Sequence, residues 1–118
     1  MRRIERRAAP RVPVPLPLHL DDAQGKFTAR TKNLSASGAY CMLRRFLAPM
    51  TKLAMQLELP GRPVHWVRCE GIVVRVEPAR RVPRRSHYYV AIFFSEIAET
   101  DRSRIADYVQ RVAARRAA

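Results

Sequence analysis

Apolar and polar residues alternate along much of this chain, and the first clear case is "VPVPLPLHL", residues 12–20. Val12, Val14, Leu16, Leu18 and Leu20 share one parity; Pro13, Pro15 and Pro17 hold the other. In an extended chain a residue's N–H and C=O point to one side and the side alternates, so prolines of one parity remove donors from one edge only. The run predicts a strand with one open side and a buried apolar face, and its prolines exclude a helix. A "DDAQG" turn leads to "KFTARTKNLS", a second strand over 26–35, and "AYCML", 39–43, returns as a third. "KLAMQLEL", 52–59, points Leu53, Met55, Leu57 and Leu59 inward and Gln56 and Glu58 outward, before "PG" turns the chain. "VHWVRCEGIVVRVE", 64–77, is a long strand whose alternation slips at Gly71, where a bulge would reset the register. "HYYVAIFF", 87–94, is nearly continuous, as expected of a strand in the middle of a core. Six short strands divided by turn signals predict a small antiparallel barrel or sandwich.

The period changes near the end. Over 98–116, Ile105, Tyr108, Val109 and Val112 fall at helical spacing. Thr100 is the expected N-cap, Asp101 suits the positive end of the helix dipole, and Arg111, Arg115 and Arg116 suit the other. This helix should lay its apolar stripe on the strands.

Composition narrows the class. A chain of 118 residues, 47% hydrophobic, suffices for one domain with a modest core. No apolar run approaches the roughly 20 residues of a membrane helix, and "MRRIERR" is not followed by a signal-type apolar region. The expectation is a soluble cytoplasmic protein. Cys41 and Cys69 show no metal-ligand spacing and read as reduced structural thiols. A formal net charge of +13 calls for an anionic partner. Lysine occurs only at 26, 32 and 52, so nearly all of the positive charge is arginine, whose planar fork meets phosphates or the O6/N7 edge of guanine with two hydrogen bonds. The Arg-rich stretch "PARRVPRRS", 78–86, reads as a solvated hairpin connection.

The sequence carries no GxSxG, no HExxH and no Gly-rich phosphate loop before a helix. His19, His65 and His87 are scattered, and the ten carboxylates show no inward-pointing pair. Neither an enzyme nor a metal or cofactor site is expected. Two short stretches stand out. In "RAAPR", 7–11, prolines at 10 and 13 bias the backbone toward extended geometry. Arg7 and Arg11 then stand roughly 13 Å apart along the chain, a span for gripping separate groups of one extended anion. In "NLSASG", 33–38, Asn33 and Ser35 share a strand parity, and Gly38 can take φ > 0 or admit a ligand to the backbone. Read alone, "NLSASG" is a strand end with a turn glycine, its Asn and Ser bonding local backbone.

Together, R-x-x-x-R before the first strand and [D/N]-x-[S/A]-x-x-G about twenty residues later resemble the signature of the PilZ domain. The "VVRVE" strand, the "YYVAIFF" strand and the helix after "FSEIAETDRSRI" follow the same family pattern. The resemblance implies a six-stranded antiparallel β-barrel with a C-terminal α-helix: a mobile arm over 1–11, the barrel over 12–97 and the helix over 98–116, with no effector domain. One departure is Ala91, where many members carry glycine. The family resemblance also implies a receptor for cyclic di-GMP, with Arg7, Arg11, Asn33 and Ser35 on the guanines and phosphates and Gly38 shaping the turn. Arg6, just before the motif, implies an intercalated ligand dimer, two nucleotides per chain. The partner that reads the signal is not named by the sequence. Two other readings stand beside this one: an adaptor of the same family that binds protein and no nucleotide, and a basic barrel that binds nucleic acid through residues 78–86 and the C-terminal arginines.

Overall fold

The computed structural model describes residues 10–117. Six strands close into an antiparallel barrel: β1 (Pro17–Asp22), β2 (Gly25–Leu34), β3 (Gly38–Leu43), β4 (Lys52–Leu59), β5 (His65–Glu77) and β6 (Tyr88–Glu96). Around the barrel the order is β1-β2-β3-β6-β5-β4, and β4 pairs back onto β1. One helix follows, α1 (Glu99–Ala117). Barrel rather than sandwich is the outcome, and closure removes every edge.

Inward residues of each strand fill the interior, as the parities predict. Leu18 and Leu20 of β1, Leu53, Met55, Leu57 and Leu59 of β4, and Tyr88, Val90, Ile92 and Phe94 of β6 are all buried. Burying one such side chain stabilises by about 1.5–3 kcal/mol. Ile105, Val109 and Val112 of α1 join the same cluster, with Tyr108 packed at its margin.

The structure corrects four expectations. The strand expected over 12–20 begins only at Pro17. Ahead of it Val12, Val14 and Leu16 are still buried, but backbone pairing is reduced to an isolated bridge, Val12 with Leu34, and one bond from Thr31 N–H to Leu16 C=O at 3.0 Å. On the even-numbered edge that faces β2, opposite the one the prolines strip of donors, a side chain takes the place of ladder groups: Thr31, buried on β2, accepts from Leu16 N–H at 2.9 Å and donates to Val14 C=O. The open edge expected of this run is absent from the strand itself, because β1 pairs with both β2 and β4. The run 87–94 is not buried throughout. Alternate residues of β6 face out, and Phe93 is 48% exposed. The helix begins at Glu99, so Thr100 lies inside its first turn and is not the cap; Ala98 C=O accepts the first helical bond, from Arg102 N–H at 2.9 Å. The slip at Gly71 is a register shift between Glu70 and Gly71, and a further shift falls between Val73 and Arg75. An unforeseen bulge sits in β2 between Thr31 and Asn33.

Candidate functional site

Two elements build the site, and a short run of backbone fixes their meeting. Val12 N–H donates to Leu34 C=O at 3.0 Å and Leu34 N–H returns to Val12 C=O at 2.9 Å. That reciprocal pair sets Arg11 beside the end of β2, with Asn33 and Ser35 flanking Leu34. The bulge at Lys32 makes this possible. It lets Thr31 and Leu34 both face the core and turns Asn33 to the half-buried outer side.

Arg11, Asn33, Ser35 and Gly38 line one cavity of about 100 Å³, whose other walls include Ser37, Tyr40, Val74, Ala91 and Phe93. At roughly 30 Å³ per water this is room for a few waters or one edge of a base. Arg11 is exposed, while Ser35 is buried. The Ser35 hydroxyl lies 3.0 Å from Ser37 Oγ, accepts from Ser37 N–H at 3.2 Å and reaches Gly38 C=O at 3.4 Å. Ser35 N–H also donates to Gly38 C=O at 3.0 Å. The turn is thus held by Ser35 itself, as the local reading of "NLSASG" expected. Arg6 and Arg7 lie outside the described residues.

Of the two reasons expected for Gly38, one is corrected: the residue does not adopt positive φ, which among glycines occurs at Gly25. It opens β3 directly opposite Phe93 of β6, where a Cβ would stand 2.2 Å from Ile92 C=O. Only glycine lets the two strands approach so closely.

Sequence reasoning missed the apolar wall. Val74 is 53% exposed because the β5 bulge turns it outward, and with Phe93 it leaves an open apolar surface beside Arg11. The signal was present in "YYVAIFF": every strand of a closed barrel has an outer face, so a run without polar residues leaves apolar groups outside. Ala91 lies on this outer face, so the departure at that position bears on the cavity wall rather than on the core. Tyr40 leads away from the cavity, stacked on Tyr89 with ring centroids 6.0 Å apart. A further contact was not foreseen. Arg102 of α1 donates from Nη1 to Ala36 C=O at 3.1 Å, tying the helix to the tip of the motif turn.

The thiols play no part here. Burial pushes Cys41 up to about 12 and Cys69 up to about 11, the latter also raised by Asp101 and Glu70 against the charge of Arg102. Among the described residues no helix is long and apolar enough to cross a membrane.

With the geometry in place, comparison with known proteins is informative. A family model, the PilZ domain, matches residues 5–111. Among solved structures, the Bacillus subtilis inhibitor of motility MotI/DgrA superposes with a TM-score of 0.80 at 23% identity over 98% of this chain; the chain spans 55% of that protein's length. The PilZ domain with c-di-GMP of YcgR from Escherichia coli gives 0.68 at 14% identity, covering 95% of this chain and 97% of that one. The K. pneumonia MrkH-c-di-GMP complex gives 0.68 at 18% identity, covering 95% and 55%. No curated protein matches the sequence.

Proposed function

The chain belongs to the PilZ domain family, and on that premise we propose that it is a receptor for cyclic di-GMP that relays binding by ordering its N-terminal arm. One observation carries the reading: the reciprocal Val12–Leu34 pair sets Arg11 on the same cavity as Asn33 and Ser35. Two relatives of like fold, from E. coli and K. pneumonia, are complexes with c-di-GMP.

The chemistry of the cavity suits a guanine edge. Arg11 supplies a fork for O6/N7, and the Asn33 amide donates and accepts. The cavity is too small for a dinucleotide, so most of the ligand lies over the outer surface, where Phe93 and Val74 offer apolar contact to a base. Arg6 and Arg7, on the arm, close over it and neutralise its phosphates. Ser35 acts by shaping the turn, its hydroxyl remaining on Ser37 and Gly38. The arm's arginines repel one another until the anion arrives, and this makes ligand-driven ordering the relay.

Calorimetric titration with cyclic di-GMP, with GTP and a short oligonucleotide as controls, tests the reading. Two nucleotides bind per chain, and Arg7→Ala or Arg11→Ala alone removes tight binding while Arg80→Ala leaves it unchanged. Loss spread evenly over many arginines, with steep salt dependence, would instead indicate nucleic-acid binding. Amide exchange over residues 2–11 slows when ligand is added; unchanged exchange there rules out arm ordering.

A further inference from the structure

A wide open groove lies away from the candidate nucleotide site. It has a volume of about 920 Å³ and runs over the outer faces of β1, β2 and β3. Arg30, Lys32, Arg44 and Arg45 line it, with His19, and no carboxylate does. It shares no lining residue with the smaller cavity, although Lys32 adjoins Asn33 and Tyr89 stacks on Tyr40. We propose that this groove is the docking surface for an extended acidic segment of a partner protein.

Charge and spacing both select this occupant. Lys26, Thr28, Arg30 and Lys32 project from one face of β2 at two-residue intervals, all exposed. Up to Arg30 their spacing is about 6.7 Å, the repeat at which an extended peptide presents alternate side chains. Carboxylates on such a peptide therefore meet Arg30 at this repeat and then Lys32, exposed at the bulge that ends the regular spacing, with Arg44 beyond the end of β3. Arg45 is already committed: it pairs with Asp22 and lies 4.1 Å over the Phe27 ring, so it forms the floor rather than a free hand.

The aromatic rings favour peptide over nucleic acid. Single-stranded nucleic acid needs open ring faces on which bases stack. Here Tyr89 carries Tyr40 and, at 5.6 Å, the ammonium of Lys32, while Phe27 carries Arg45. The rings are engaged in holding cations in place. This surface would supply the partner contact that the receptor reading leaves open, but it rests on the groove alone.

Fluorescence anisotropy with no nucleotide present separates the two ideas. The probes are a labelled peptide of alternating Glu and Ser and a labelled oligo-dT of equal charge, at physiological salt. The peptide binds the wild type more tightly than the oligonucleotide. Lys32→Glu with Arg44→Glu weakens it about ten-fold or more, as expected of close charge pairs. Arg80→Glu with Arg116→Glu, an equal change in net charge on exposed sites, weakens it less than about three-fold because distant surface charges are screened. If charge reversal lowers the melting temperature, Lys32→Gln with Arg44→Gln repeats the test. No peptide binding, equal losses in both double variants, or tighter binding of oligo-dT would each overturn the proposal.

Discussion

At Gly38 one hydrogen separates a closed barrel from a steric collision. A methyl group there would stand 2.2 Å from Ile92 C=O, and the obstacle is backbone, so a strand must move. Overpacking of this kind costs about 1–3 kcal/mol. Gly38→Ala should therefore lower the melting temperature by several degrees and, because β3 and the motif turn share this residue, weaken cyclic di-GMP binding as well. Calorimetric melting and titration of the same variant measure both effects. Asp22 presents an electrostatic case. Burial raises its pKa, but the N–H groups of Gln24 and Gly25 and the guanidinium of Arg45 outweigh that and hold it below the usual carboxylate value. A carboxylate depressed on folding stabilises above its unfolded pKa and loses that contribution as pH falls through the folded value. Acid should thus destabilise the wild type from just below pH 4 downward, and Asp22→Asn should melt lower at pH 7 with a flatter pH dependence in that range. Thermal melts across pH 2–7 check the sign. If both proteins kept parallel profiles, the Asp22–Arg45 contact would carry no linked stability.

At the scale of elements, the reach and the limits of the sequence have physical causes. Parity was legible wherever a residue faces the barrel interior, because burial there is decided by one face: Val12 to Leu20 and Leu53 to Leu59 were read correctly. Backbone pairing was not legible to the same degree. Residues 12–16 have strand parity without a full ladder: Pro13 and Pro15 withhold donors on the edge away from β2, and on the edge toward β2 Thr31 lends its hydroxyl from another element. Nothing local announces that loan. Thr31→Val tests it: losing the acceptor for Leu16 N–H and the donor to Val14 C=O removes two buried hydrogen bonds, at about 1–3 kcal/mol for each stranded group. Residues 10–16 should then exchange their amides faster than β1 does, and because Arg11 sits on that segment, nucleotide affinity should fall without any change to a contacting residue. The bulges at Lys32 and Val74 were hidden for a related reason, since a bulge depends on the partner strand's register. They decide which way Asn33 and Val74 face. The sequence thus pointed to Arg11, Asn33, Ser35 and Gly38, which line one cavity, while the apolar wall completing that cavity was not legible.

Across the whole molecule, the helix and the motif turn are joined in a way neither shows alone. The apolar stripe of α1, Ile105, Val109 and Val112, holds it to the barrel. Two polar contacts fix its first turn: Asp101 meets His65 Nε2 of β5 at 2.9 Å, and Arg102 reaches Ala36 C=O at 3.1 Å. The Ala36 carbonyl stands between Ser35 and Ser37, and the next carbonyl, of Ser37, accepts from Phe94 N–H at 2.9 Å. Any ligand that reorients the 35–38 turn must therefore move Arg102 or break its bond, which would make the helix dock a second output beside the proposed ordering of the arm. Arg102→Ala separates the two. It leaves Arg11 and Asn33 untouched, and the half-exposed guanidinium contributes only about 1 kcal/mol or so to stability. Binding of cyclic di-GMP should persist within a few-fold, and slowing of exchange over residues 2–11 should persist with it. The change in exchange over 99–105 on adding nucleotide should disappear. Were that change to survive in Arg102→Ala, the helix would be sensing ligand through the apolar core, which Leu34 of the motif enters; were the wild type to show no change at all, the helix would carry no output.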